Sequence, residues 1–194
     1  MDHYPNSYYI NSLERDLIHH PSLNDSYECD LCIIGGGFTG LSTAIEASQK
    51  GLKVILLEQN RIAWGASGRN GGQIWPDIAN GVENLEKKYN FETAKSLWDI
   101  SLDAVRLVDQ RINSYKIQCD KKLGSLSAAT NTSRLKEFEN EINYFQKKLN
   151  YNTSKILNKD EVAQSIGSNR YFGGHLHNEG GHLHPLKYAL GLAD

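Results

Sequence analysis

The tightest constraint on this chain is a run of three glycines, Gly35-Gly36-Gly37, set between an apolar segment and a helical one. Cys29-Asp30-Leu31-Cys32-Ile33-Ile34 is short and apolar and stops at Gly35, the pattern of a strand buried on both faces. From Phe38 to Lys50 the residues Leu41, Ala44, Ile45 and Ser48 recur at helical spacing, and Gly51 supplies a stop. Lys53-Val54-Ile55-Leu56-Leu57 is a second apolar run that ends at Glu58. Residues 30–58 therefore read as one strand-helix-strand unit with parallel strands and a right-handed crossover.

Gly35-Gly36-Gly37-Phe38-Thr39-Gly40 fits G-x-G-x-x-G, with a strand before it, a helix opening from it and an acidic residue 18 positions past Gly40. In that context the pattern is a dinucleotide fingerprint rather than a chance glycine-rich turn. Gly35 permits the tight turn, Gly37 lets backbone approach a pyrophosphate, and Gly40 lets helix and strand pack closely. The helix N-terminus offers free N–H groups to the anion. Glu58 is placed to accept from ribose hydroxyls, and its charge repels a 2′-phosphate, which leaves NAD or FAD in preference to NADP.

Residues 62–82 are rich in Gly, Ser and Asn and too long for a simple connection, as functional loops often are. Glycines in Arg61-Ile62-Ala63-Trp64-Gly65-Ala66-Ser67-Gly68-Arg69-Asn70-Gly71-Gly72-Gln73 let backbone approach a flat or phosphorylated ligand, and Ser67, Arg69 and Asn70 add donors. On its own this stretch is equally compatible with a flexible connector.

Composition narrows the remaining classes. The 194 residues are 39% hydrophobic and 23% charged, with a formal charge of -2, the profile of an ordinary globular protein without the basic surplus of a nucleic-acid binder. Three cysteines, Cys29, Cys32 and Cys119, make no disulfide framework and favour a reducing compartment. The N-terminus has no basic and apolar leader pattern, and no apolar stretch is long enough to span a bilayer, so a cytoplasmic location is expected. The sequons at Asn24, Asn131 and Asn152 are then incidental.

The rest of the chain divides by pattern. Residues 1–28 read as an irregular arm, 29–90 as the dinucleotide-binding part, and 91–194 as helices plus the beginning of a second domain. An amphipathic helix is expected from Phe91 to Tyr115, a strand over Leu123–Ala128, and a surface helix from Ser133 to Leu149. Asn158 with Glu161 forms a capping box for a helix through Ile166. A strand around Tyr171–His177, a turn at Gly180-Gly181 and a helix opening at Pro185 close the sequence.

His175, His177, His182 and His184 form two H-x-H pairs, each of which a strand would point to one face. A metal site is the less favoured reading here. Cys29-x-x-Cys32 lies at the start of a buried strand with no second pair, so packing is expected for it. Trp64, Trp75 and Trp98 read as core or domain-interface aromatics.

Gly35 to Gly40, Glu58 and Gly65-Ala66-Ser67-Gly68-Arg69-Asn70-Gly71-Gly72-Gln73 together resemble the FAD-dependent oxidoreductases of the D-amino-acid oxidase (DAO) family. Ser7-Tyr8-Tyr9, Cys29-Asp30-x-Cys32 and Gly180-Gly181-His182-Leu183-His184-Pro185-Leu186 extend the similarity over essentially the whole chain. The resemblance implies an α/β, Rossmann-type FAD-binding domain of the glutathione-reductase-like kind, interleaved with the start of a mixed α+β substrate domain. It assigns Gly35, Gly37, Phe38, Thr39, Gly40, Glu58, Gln59, Ala66, Ser67, Arg69, Asn70, Gly71 and Gly72 to FAD. It implies oxidation of a C–N bond in a small amine, such as a gamma-glutamylputrescine-like one, by hydride transfer to flavin, with imine hydrolysis and reoxidation by oxygen. No catalytic residue is nominated; His182 is a candidate for the wall of the substrate cavity and His184 for a helix cap.

Members of the family are about twice this length, so the chain is expected to correspond to an N-terminal part. Two alternatives to an active enzyme follow, an inactive remnant or one half of an enzyme whose C-terminal half is separately encoded. In a half-length chain the last helix, with Leu186, Leu190 and Leu192, is expected to lack a partner for its apolar face.

Overall fold

A computed structural model describes residues 3–194, so Met1 and Asp2 of the expected arm lie outside the described residues. The chain forms two compact units, each built from separated stretches of sequence. The first takes the described residues up to Gly72 with Gln110–Asp120 and Leu183–Asp194, and the second takes Gln73–Asp109 and Lys121–His182. The change-over falls at Gly72 rather than at residue 90, and the last helix belongs with the first unit.

In the first unit, β1 (Leu31–Ile34), α2 (Phe38–Gln49) and β2 (Val54–Leu57) follow a short helix α1 (Tyr8–Asn11) in the arm. The strands pair in parallel from Leu31↔Val54 to Ile34↔Leu57, as the strand-helix-strand pattern requires. A Cβ on Gly40 would lie 1.9 Å from the Gly35 carbonyl oxygen and 3.3 Å from Ile33 Cγ2, so glycine there sets how closely α2 crosses the end of β1. Gly35 itself sits at φ +106, a region open to glycine at little cost.

Two expectations fail in this unit. Of β1 only Ile33 is buried, while Ile34 is 88% exposed. Cys32 is exposed and Cys29 half-buried, so neither packs in a core. The pattern of a doubly covered strand is present in the sequence, but among the described residues the sheet has two strands, and two strands cannot cover each other's faces.

The last helix, α7 (Pro185–Ala193), has its partner after all. Leu186 is 1% exposed and Leu190 and Leu192 are 8% each, packed where α7 meets α2 and the 3₁₀ turn Ala66–Gly68. Gly68 is required there, because its Cβ would stand 2.2 Å from the Ala63 oxygen and 3.2 Å from Leu186 Cδ1. Ile117 fills the other side, 2.4 Å from where a Cβ on Gly191 would be. The partner surface lies more than sixty residues upstream at its nearest, which local patterning cannot reveal.

The second unit is an antiparallel sheet under helices. Its central strand is β6 (Gly173–His182), with β4 (Lys122–Ala129) along one side and β5 (Ser154–Leu157) and β3 (Gln73–Ile74) on the other. Gly180 and Gly181, expected as a turn, lie inside β6. A Cβ at Gly180 would meet the Ile74 oxygen at 2.4 Å and one at Gly181 the Lys122 oxygen at 2.0 Å. The pair serves close backbone approach beside a register shift at Leu123/Ser125, and does not reverse the chain.

Four helices belong here: α3 (Val82–Lys88), α4 (Phe91–Ser114, up to residue 109), α5 (Thr132–Leu149) and α6 (Lys159–Ile166). The stripes read from α4 and α5 meet in a core where Trp98 stacks on Phe145 at 4.9 Å and meets Tyr151 edge-on at 5.3 Å. Trp98 is thus a core residue, whereas Trp64 is half-buried and carries the Arg69 guanidinium over its ring. The capping box of α6 forms as read: Asn158 Oδ1 accepts from Glu161 N–H at 3.0 Å and Glu161 Oε2 from Asn158 N–H at 2.7 Å. The short elements α1, α3, β3 and β5 carry too few residues to show a period.

Because α7 closes the first unit through Leu186, replacing this residue by Ala is expected to destabilise the chain by about 2–5 kcal/mol in urea unfolding. A loss under about 1 kcal/mol would mean that the helix is not docked in solution.

Candidate dinucleotide site

The site begins where β1 ends. Gly35 N–H donates to Leu57 O at 2.7 Å, continuing the parallel ladder one residue into the turn. Gly36 N–H then donates to Glu58 Oε2 at 2.8 Å, while Glu58 Oε1 accepts from Asn60 N–H at 2.8 Å. Each carboxylate oxygen thus holds a backbone amide, one in the glycine turn and one in the segment after β2. The Gly36 carbonyl accepts from Ala63 N–H at 2.8 Å. A side chain at Gly36 would strike Ile62 Cδ1 at 2.7 Å and Glu58 Cβ at 3.2 Å, so the middle glycine is confined as well.

Helix α2 starts at an extended Gly37 that has no side chain to cap it. Ser67 supplies the cap from the glycine-rich loop: its Oγ accepts from Phe38 N–H at 3.0 Å and leaves the hydroxyl hydrogen as a donor. The amides of Thr39 and Gly40 are among those a helix leaves without an intrahelical partner. No acidic residue lies in the first turn of the helix itself.

The loop is held largely by itself. Asn70 donates from Nδ2 to the carbonyls of Ala66 (3.2 Å) and Ser67 (2.9 Å) and accepts at Oδ1 from Gly72 N–H at 2.8 Å. Arg69 Nε donates to Gly65 O at 3.2 Å. Gly72, at φ +71, lets the loop lie against Leu183, whose N–H donates to Gly72 O at 2.9 Å. The structure therefore brings together Gly35 to Gly40, Glu58, Ala63 and Ser67. It places Arg69, Asn70 and Gly71 at an exposed edge, with Asn70 shaping backbone.

Beside Glu58 a cleft of about 1690 Å³ opens along β2, lined by Ile55, Leu57, Glu58, Gln59, Tyr4 and Arg15 among others. That exceeds the roughly 300–1,000 Å³ typical of a small-ligand pocket, so one half of a cofactor would fill only part of it. The glycine turn and the loop Ala66–Gly72 are not in its lining.

One residue that patterning missed is Arg111, buried near the end of α4, where it bonds Ser42 and Glu46 of α2, the latter at 2.8 Å. A lone arginine in the apolar stripe between Val108 and Ile112 was its only signal.

The histidines separate. His184 caps α7, its Nδ1 accepting from Lys187 N–H at 3.1 Å. His182 is exposed at the end of β6. In the second unit His175 and His177 face inward, their rings 3.6 Å apart. His177 also meets Ser154 Oγ at 3.2 Å and the Trp75 ring at 3.9 Å, and Glu141 reaches His175 Nδ1 at 3.4 Å. Among the described residues no group of three His, Cys, Asp or Glu is arranged to hold a metal ion.

Backbone donors at a helix start without an acid in its first turn, a carboxylate at the end of β2 and no atom within 4 Å of a Cβ on Gly35 fit a dinucleotide cofactor. These features define the class as a dinucleotide-binding α/β protein. Residues 30–194 match the family described as FAD dependent oxidoreductase (DAO), and the chain belongs to that family.

The chain is 40% identical over 187 residues to probable oxidoreductase OrdL of Haemophilus influenzae, covering 96% of this chain and 43% of that protein. It is 36% identical over 194 residues to gamma-glutamylputrescine oxidoreductase of Escherichia coli, covering all of this chain and 45% of that protein. It thus spans less than half the length of these relatives. In fold it is similar to L-amino acid deaminase of Proteus myxofaciens, with a TM-score of 0.73 and 18% identity over 93% of this chain and 38% of that one.

Burial and the neighbouring His175 push His177 from its ordinary 6.5 down to about 3. The unfolded chain therefore takes the proton first, so His177 leaves stability intact above about pH 6.5 and lowers it as pH falls from there toward 3. Between pH 6.5 and 5 the urea midpoint is expected to drop by the equivalent of about 1 kcal/mol per pH unit, allowing for solvent screening. His177→Gln should flatten that slope, and an unchanged slope would assign the acid sensitivity to other groups.

Proposed function

We propose that this chain forms the FAD-binding end of a flavoprotein that oxidises the C–N bond of a small amine, with gamma-glutamylputrescine or a close analogue as substrate. The observation that carries the cofactor reading is the start of α2, where the Gly35–Gly40 turn is tied to Glu58 on one side and to Ser67 on the other. The substrate reading is supported by the 36% identity to gamma-glutamylputrescine oxidoreductase.

In this reading the α2 amides of Thr39 and Gly40 bind the pyrophosphate, and the dipole of the twelve-residue helix favours its charge. Glu58 accepts from ribose hydroxyls with the lone pairs left by its two backbone bonds, and Gln59 lines the same cleft. The loop carrying Ala66, Ser67, Arg69, Asn70, Gly71 and Gly72 lies along the cofactor, with the Ser67 hydroxyl as a donor. When bound, FAD supplies a two-electron acceptor for the hydride leaving the amine carbon. His182 belongs to the wall of the substrate cavity.

No helix among the described residues is long and apolar enough to cross a membrane, and the low cysteine content supports a cytoplasmic location. The exposed Ile34 and the two-stranded sheet favour a covering segment, either in the same polypeptide or separately encoded, over an inert remnant.

After incubation with FAD and removal of free cofactor, the protein is expected to keep a visible flavin band. Gly37→Val should lose it, since a Cβ at Gly37 already lies 2.9 Å from Ser67 Oγ. Oxygen uptake with gamma-glutamylputrescine, compared with glycine, then tests the substrate. No band in the wild type overturns the cofactor reading, and turnover of glycine in preference to gamma-glutamylputrescine overturns the substrate reading.

A further inference from the structure

The Ser7-Tyr8-Tyr9 arm, which the proposed function leaves without a role, is anchored at two places, one at the dinucleotide site and one at the cap of α7. The first is the peptide joining Ile62 and Ala63. Ala63 has φ +58, a left-handed conformation that an L-alanine adopts only when its surroundings impose it. That one peptide is held at both ends: its N–H donates to Gly36 O at 2.8 Å, and its carbonyl accepts from Tyr4 Oη at 2.7 Å. Next to it Trp64 Nε1 donates to the His3 carbonyl at 3.1 Å. The strained peptide is thus pressed onto the glycine turn from one side and gripped by the arm from the other.

The second anchor is His184. Its Nδ1 accepts from Lys187 N–H, so the neutral ring carries its proton on Nε2. Ser12 Oγ, 3.2 Å from Nε2, donates its own hydrogen to Tyr8 O at 2.7 Å and therefore accepts from His184. Tyr9 meets the same imidazole edge-on at 5.1 Å. Arg15 closes the strap with a bidentate bond to the Asp194 carboxylate at 2.7 and 2.9 Å.

We infer that the N-terminal arm is a positioning element of the dinucleotide site: Tyr4 holds the strained Ile62–Ala63 peptide against Gly36, and the seat of Ser12 on His184 holds the arm in place. The inference rests on the proposed FAD reading for its effect on affinity, but the clamp itself can be read without cofactor.

The test uses the full chain with Tyr4→Phe, Ser12→Ala and Ala63→Gly, the last alone and combined with Tyr4→Phe. Two readouts are followed: amide hydrogen exchange at Ala63 without FAD, and the dissociation constant for FAD from quenching of flavin fluorescence. Tyr4→Phe and Ser12→Ala are expected to speed exchange at Ala63 and to weaken FAD binding about three- to tenfold, the worth of one hydrogen bond. Glycine takes φ +58 without strain, so Ala63→Gly should remove most of the FAD penalty of Tyr4→Phe. A merely stabilising arm would shift the melting temperature without that rescue.

Unchanged exchange at Ala63 in both arm variants overturns the inference, and so does loss of FAD affinity that Ala63→Gly leaves intact. Absence of FAD binding in the wild type overturns the underlying function instead, and exchange at Ala63 still decides the clamp.

Discussion

At Gly40 a hydrogen atom stands where any other residue would put a Cβ 1.9 Å from the Gly35 carbonyl. That contact sets the distance at which α2 leaves β1, and the other features of the first unit follow from it. With the helix drawn in, the Gly36 amide reaches the Glu58 carboxylate and the Phe38 amide reaches Ser67 Oγ. Glu58 can serve both Gly36 and Asn60 because the parallel register, Ile34 opposite Leu57, ends both strands at the same level. The glycine-rich loop is then fixed through Ser67 to the helix start, and through Gly72 to Leu183.

How much of this was readable depended on the range of the interaction. The strand-helix-strand unit, the capping box at Asn158 and the Pro185 helix start are set by residues within a few positions of one another, and each formed as read. Gly180-Gly181 has the composition of a turn, yet what requires glycine there is the approach of Ile74 and Lys122 from distant segments. The apolar face of α7 was legible, but its cover, the turn Ala66–Gly68 with Ile117, was not. Cys32 shows the reverse case: its strand reads as buried, but burial depends on neighbours the local sequence does not contain.

At the site the glycines and Glu58 were legible because their chemistry is tied to fixed spacing. The division of labour among the loop side chains was not. Asn70 reads as a ligand donor but spends its amide and oxygen on Ala66, Ser67 and Gly72, which is how a short polar side chain stabilises an irregular loop. Ser67 reads the same way and in addition caps α2 across 29 residues of sequence. Arg111 gives no motif at all, since an arginine buried against Ser42 and Glu46 is distinguishable from a surface arginine only once α2 has been placed beside it.

The first unit draws its closure from three stretches that are far apart in the chain, and the order of closing has a physical consequence. Strand, helix and strand lie within 27 residues, from Leu31 to Leu57, and carry a low loop-closure cost, so they can associate before the rest. Leu183 on Gly72, His184 N–H on Cys119 O and Arg111 on α2 each join residues more than 60 positions apart. The Leu183–Gly72 bond completes the loop end of the site, while Ile117, Gln118 and Leu190 from the same distant stretches line the cleft beside Glu58. A chain that has formed β1, α2 and β2 therefore already holds the Gly36–Glu58 bond, while the edge of the loop at Gly72 gains its bond to Leu183 only when the stretch that carries α7 docks.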